Sequence, residues 1–271
     1  MSRLRARAVD LSTGEVNPGR LEAGLQPPLA GPLEWHREVG STNDVLSDRA
    51  RGGAVEGTIV CADHQTTGRG RLGREWQDVP GRTLAISVLL RPPVWVAGDA
   101  GALPILVATA VAEGIGFEAK VAWPNDVILD GRKVSGILLE AAWEGPSLAW
   151  VVAGIGVNVR GVPDVPAGTW PPGALDDRGA DPSRELVAAA ILAALGRQYE
   201  TFCRQGPEPV MRAFAARDAL AGRVVRVRNG DDVRDGSADG IDADGALRLR
   251  TAAGVEIVSS ADRLELLEPR G

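Results

Sequence analysis

Residues Trp123–Glu140 read WPNDVILDGRKVSGILLE, and this stretch decides what kind of sheet the chain builds. Its two short apolar runs flank Asp130-Gly131, a dipeptide that accepts the positive φ of a tight turn, so the spacing predicts two strands joined as a hairpin. Leu148–Val159 (LAWVVAGIGVNV) continues the pattern beyond a second turn at Gly145-Pro146. Upstream, Glu56–His64 (EGTIVCADH) and Arg82–Leu90 (RTLAISVLL) also read as strands, separated by the long loop TTGRGRLGREWQDVPG.

Helices are expected at three places around these strands. One begins at Ser41 or Thr42. A second covers LPILVATAVAEGIG, with Pro104 in its first turn and glycine closing it. The third runs through DPSRELVAAAILAALGRQYETFCRQG, where Asp181 and Pro182 suit the cap and first position. After Ala221 the pattern changes to short alternating runs broken by Asn-Gly, Asp-Gly and Ala-Gly turns, which predicts a small antiparallel barrel of about five strands. Residues 1–32, rich in Gly, Pro and charge, read as a flexible leader too short for a helical DNA-reading domain. The expected division is therefore 1–32 leader, 33–220 central domain and 221–271 barrel.

Composition narrows the function classes. The 271 residues are 44% hydrophobic, enough for a substantial core, and contain no apolar run able to span a bilayer. No secretory signal pattern opens the chain, which predicts a cytoplasmic protein with no membrane partner. Cys61 and Cys203, the only cysteines, fit neither a disulfide framework nor a metal cluster. A formal charge of −6 argues against a nucleic-acid partner bound through a broad basic surface. Any anion site is therefore local, and Thr66–Trp76 (TTGRGRLGREW) is where it is expected. Its glycines let backbone N–H groups converge, while Arg69, Arg71 and Arg74 can bind phosphate or carboxylate bidentately. The segment lacks the Gly-Lys-Ser/Thr ending of a Walker loop. Of 30 basic residues only Lys120 and Lys133 are lysines, which singles those two out in a chain otherwise committed to arginine.

GSTNDVL, HQTTGRGRLGREW, WPNDVILDGRKVSGILLE and GIGVNV occur in this order, and together they resemble biotin protein ligases. The resemblance runs from about residue 34 to the C-terminus. It implies an α+β fold with a mixed, largely antiparallel catalytic sheet and a C-terminal all-β barrel. It also implies a reaction: biotin and ATP, with Mg²⁺, form biotinyl-5′-AMP, and biotin then passes to a lysine of a biotin carboxyl carrier domain. With no room for a DNA-binding domain, the type implied is monofunctional and does not itself repress transcription. A homodimer is compatible with it. The related lipoate/octanoate ligases and a non-catalytic biotin or adenylate sensor are the alternatives.

The site residues follow from the resemblance, position by position. Ser41, Thr42, Asn43 and Gln65 are implied at the biotin pocket, although Ser41 would serve equally as a helix cap. Arg69, Gly70 and Arg71 are implied at the biotin carboxylate and phosphate. Arg74, Trp76, Asn125, Asp126 and Asn158 are implied at the ATP or adenylate side, with Asp126 a candidate for magnesium. Lys133 is implied as the active-site lysine touching both halves, so Lys133, Arg69 and Arg71 form the expected catalytic set. Gly154 and Gly156 would let backbone approach the ligand. One departure is Ala122, where the family usually has lysine. Lys120, the only nearby lysine, shares its face roughly 6 to 7 Å away, so either Lys120 reaches the same ligand by another route or the missing ammonium weakens ATP binding. His36 and His64 match no catalytic requirement and are expected in a neutral structural or surface role, and Pro124 in ordinary turn chemistry.

Overall fold

A computed structural model describes residues 16–93, 100–116, 118–166, 168–179 and 181–267. The hairpin expected at Asp130-Gly131 joins β5 (Asp126–Leu129) to β6 (Arg132–Glu144), both turn residues having positive φ. β6 returns through Gly145 into β7 (Ser147–Asn158). With β1 (Leu33–His36), β2 (Ile59–Ala62), β3 (Thr83–Leu90) and β4 (Lys120–Ala122), they form a seven-stranded sheet ordered β1-β2-β3-β7-β6-β5-β4. Only β1 and β2 pair parallel, so the sheet is mixed and largely antiparallel.

Alternation along the strands sorts side chains between two faces. Leu84, Ile86, Val88 and Leu90 of β3 and Val151, Ala153, Ile155 and Val157 of β7 face a core closed by α3 (Leu103–Ile115) and α4 (Arg184–Gln205). The opposite face is covered at one end by α2 (Thr42–Arg51), whose Leu46 and Ala50 pack on Val60, Leu89 and Val152. The remainder of that face is left for the site. There β3, β7 and β6 present Ser87, Gly154, Gly156 and Gly136, with Ser87 in register with Gly154 and Gly156 with Gly136.

Two expectations are corrected. Residues 1–15 of the expected leader lie outside the described residues, but 16–32 pack against the domain. Asn17 caps α1 (Pro18–Ala23), accepting the Arg20 N–H at 3.0 Å, and Leu21 and Leu29 are buried. Two leucines and a capped first turn are enough to dock the segment, a signal diluted by the surrounding Gly and Pro. The long helix is capped by Ser183, which accepts the Leu186 N–H, rather than by Asp181. It is followed by a separate α5 (Glu208–Ala215).

The C-terminal strands are β8 (Val224–Asn229), β9 (Asp232–Ile241), β10 (Leu247–Thr251), β11 (Gly254–Val258) and β12 (Arg263–Leu266). They form an antiparallel sheet ordered β11-β10-β9-β8-β12. It is tied to the first sheet where Trp123 Nε1 donates to the Gly245 carbonyl at 2.9 Å. Among the described residues no helix is long and apolar enough to cross a membrane.

Candidate functional site

A cavity of about 390 Å³ lies between the sheet face and residues 65–76, which arch over it as a flap. The flap is fixed at its base. Asp78, whose side chain is buried, accepts the Gln65 N–H at 2.8 Å and contacts His64 Nδ1 at 2.6 Å. Further out, Trp76 N–H donates to Gly68 at 2.9 Å and Gly70 N–H to Arg74 at 2.7 Å, so the arch is a small hairpin. Leu72 at its tip is 60% exposed and left-handed, with φ 58°.

One end of the cavity is polar and buried. Ser41 occupies the N-cap position of α2, yet its side chain makes no capping bond. The Gln65 side-chain oxygen takes that role, accepting from Thr42 N–H at 2.8 Å and Thr42 Oγ1 at 3.0 Å. Ser87, which sequence reasoning missed, links Thr42 Oγ1 at 2.8 Å to Asn43 Oδ1 at 2.6 Å. The chain approaches itself too closely here for a side chain on the floor: a Cβ on Gly154 would stand 2.4 Å from Asn43 Oδ1. Gly154→Ala therefore displaces the Asn43 amide from a network that cannot swing away. We expect the KM for the ligand at this end to rise about tenfold, with the melting temperature changed far less. Steady-state kinetics checks it.

Trp76 lies on the next part of the floor. A Cβ on Gly156 would stand 2.3 Å from its Cε2, and its buried Nε1 has no hydrogen-bond partner. Beyond it stands Lys133, aimed by a backbone irregularity. Between β5 and β6 the register advances from Val127↔Ser135 to Ile128↔Lys133, which leaves Val134 as a bulged residue buried in the core. Without that bulge, alternation from Gly136 would turn Lys133 toward the helices; with it, the ammonium faces the cavity. Its Nζ pairs with Asp126 Oδ1 at 2.7 Å. The backbone at Lys133 is held by Pro171 and Gly173, at 2.8 and 2.9 Å.

The three flap arginines are not equivalent. Arg69 donates to both oxygens of Asp44 at 2.6 and 2.7 Å and to Glu140 at 2.9 Å. These bonds, Asp44's first, raise its pKa and lower that of Asp44. Arg71 makes no ion pair among the described residues. It donates to Asn125 Oδ1 at 3.2 Å, and burial, helped by the nearby Arg74, lowers the pKa of its guanidinium. Arg74 reaches the Asp262 carbonyl in the C-terminal sheet region. A half-buried guanidinium with no ion-paired carboxylate among the described residues, facing the same cavity as an ammonium, is an arrangement that favours an anion.

Ser41, Thr42, Asn43, Gln65, Arg69, Gly70, Arg71, Arg74, Trp76, Asn125, Asp126 and Lys133 all line the cavity. Asn158 does not. It is buried one step along, donating to Gly173 O at 3.0 Å with its Oδ1 unpartnered. Ala122 is on the wall, but Lys120 is exposed outside it, near Asp218, whose pKa is raised by burial with the Leu220 N–H and Lys120 opposing. No reach of Lys120 into the place left by Ala122 is seen. Of the histidines, His36 lies 3.1 Å from Glu34 and His64 2.6 Å from Asp78, neither in the cavity lining. Sequence reasoning also missed Thr169, Trp170 and Ala261–Leu264, which close the cavity from two distant segments. Trp170, isolated in a Pro- and Gly-rich loop, was the one available signal.

A family described as Biotin/lipoate A/B protein ligase matches residues 35–158, and one described as Biotin protein ligase C terminal domain matches residues 221–262. The chain is similar to the biotin–[acetyl-CoA-carboxylase] ligase of Paracoccus denitrificans, 37% identical over 215 residues that cover 75% of this chain and 88% of that one. It is 34% identical over 272 residues to the ligase of the same description from Mycobacterium tuberculosis, covering 93% of this chain and 97% of the other. Among solved structures it is similar to a biotin protein ligase from Aquifex aeolicus in complex with biotin and ATP. There the TM-score is 0.73 at 26% identity, covering 87% of this chain and 98% of that one.

Proposed function

The chain belongs to the biotin protein ligase family, and we propose that the cavity under its flap is where biotin and ATP are brought together. The enzyme forms biotinyl-5′-AMP and biotinylates the carrier domain of a carboxylase. In the first step a biotin carboxylate oxygen bonds to the α-phosphorus as the bond to pyrophosphate breaks. In the second, a carrier lysine amine bonds to the acyl carbon, AMP leaves and the amine gives up a proton. Negative charge gathers on oxygen in both, which fixed cations stabilise.

The observation that carries the assignment is the polarity of the cavity: uncharged donors and acceptors at one end, and Arg71 with Lys133 beside the glycine floor. In this reading Ser41, Thr42, Asn43 and Gln65 take the ureido ring. Gly70, Arg71 and Lys133 hold the biotin carboxylate against the α-phosphate. Arg74, Trp76, Asn125 and Asp126 serve the nucleotide, and Asn158, buried behind that end, supports it through its bond to the Gly173 carbonyl. Among the described residues no three-member cluster could hold a metal, so magnesium would arrive on the triphosphate. Asp126, the carboxylate beside Lys133, fits as its single protein contact and would help neutralise phosphate charge. The division that goes with this reading is 33–220 as the catalytic part, with 16–32 docked on it, and 221–271 as a small barrel, acting in the cytoplasm with its carrier.

The buried hydrogen-bonding end also separates biotin from lipoate or octanoate, whose chains would leave those groups unpaired. We expect pyrophosphate release from ATP with biotin and not with lipoate or octanoate, followed by label transfer to a carrier domain. Release driven equally by lipoate would overturn the substrate assignment, and binding without release would leave a sensor.

A further inference from the structure

Arg69 and Arg71 stand two residues apart on one flap, yet of the two only Arg69 is ion-paired with carboxylates among the described residues. Both terminal nitrogens of Arg69 are engaged by Asp44 in the first turn of α2, and one of them also by Glu140 on β6. Neither carboxylate lines the cavity. The ion pairs therefore cross from the flap to α2 and β6 at residues outside the cavity lining. A biotin carboxylate approaching Arg69 would have to displace two protein carboxylates to obtain the same fork.

We propose that Asp44 and Glu140 are positioning residues that pin the flap through Arg69, and that Arg69 acts through them rather than as a cation for the substrate. The pin fixes the near stem of the flap, while Arg71 and Arg74, further along, remain available to the ligand. This rests on the biotin ligase reading, and it makes retention of the reactive adenylate depend on two side chains outside the cavity.

The test turns on sign. Asp44→Asn with Glu140→Gln neutralises both carboxylates and leaves Arg69 in place. If Arg69 bound the substrate carboxylate, releasing it would tighten biotin binding. A pin predicts the opposite: biotin KM rises about tenfold, biotinyl-adenylate leaves the protein about tenfold faster on gel filtration, and kcat for pyrophosphate release stays within about twofold. In the unaltered protein retention should weaken as salt rises, and in the double variant the salt dependence should be smaller, reduced to that of the ligand's own contacts with Arg71 and Lys133. Adding Arg69→Ala to the double variant should change retention less than about twofold, since residues that act as one unit are not additive. Tighter biotin binding, unchanged retention, or a large further loss from Arg69→Ala would each overturn the proposal. Biotin-dependent pyrophosphate release by the unaltered protein is the control, and its failure would instead fault the functional reading.

Discussion

Lys133→Ala should lower the rate of biotin-dependent pyrophosphate release by about 10²–10³-fold with little change in melting temperature. Lys133 is the one ammonium in the cavity wall, carried on the bulge that turns it to the floor, beside Asp126 and within reach of Gly136. A positive charge held at that place stabilises the oxygen on which negative charge grows during adenylation, without reorganising water at the moment of reaction. The fold does not need the side chain. Its backbone bonds to Pro171 and Gly173 survive truncation, and the side chain is 33% exposed.

The main competing explanation is that alanine simply leaves Asp126 unpaired beside the nucleotide phosphates. Asp126→Asn in the alanine background separates the two. Recovery of most of the rate would move the defect to the stranded carboxylate, whereas no recovery leaves it with the lost ammonium. Lys133→Arg should rescue only partly, because a planar fork places its charge differently from a point charge on a flexible stem. A rate within threefold of the unaltered enzyme in Lys133→Ala would remove the role altogether.

Much of this arrangement can be read along the chain because it is local. The Asp130-Gly131 turn, the alternation of β7 and the Gly-punctuated strands after Ala221 are all dictated by neighbours in sequence. The site motifs are legible for a related reason: each requires particular residue types at short spacing. What could not be read depends on register and on distant segments. The bulge at Val134 leaves no mark on the alternation, since Lys133, Val134 and Ser135 would be acceptable on either phase, yet it decides which face Lys133 joins. The fork of Arg69 is shared with residues 25 and 71 positions away, so its role as a pin is invisible in the flap itself. Ala261–Leu264 reach the cavity only because the second sheet is docked through Trp123.

The same dependence on distance makes Asp63→Ala the largest stability change we expect. Arg184, in the first turn of α4, is only 5% exposed, and its guanidinium meets Asp63 at 2.5 Å and stacks 5.9 Å from the Trp35 ring centroid. Trp35 Nε1 also donates to Asp63, at 3.2 Å, so one carboxylate joins β1, the end of β2 and α4. Removing one member of a buried pair leaves the other charge uncompensated, which costs about 3–5 kcal/mol. Asp63 is 30% exposed, so solvent already screens part of the interaction and the lower end, about 3 kcal/mol, applies. For a chain of this size that is a fall of roughly 6–12 °C in melting temperature. Arg184→Met should cost less, because an apolar chain of similar length fills the space while Asp63 keeps water and the Trp35 bond. The order of the two is the test: if Arg184→Met is as damaging as Asp63→Ala, the loss belongs to packing and not to an orphaned charge. Asp63 also begins the segment that runs through His64 and Gln65 into the flap, so partial melting there should raise the KM for biotin before it lowers the rate of adenylation.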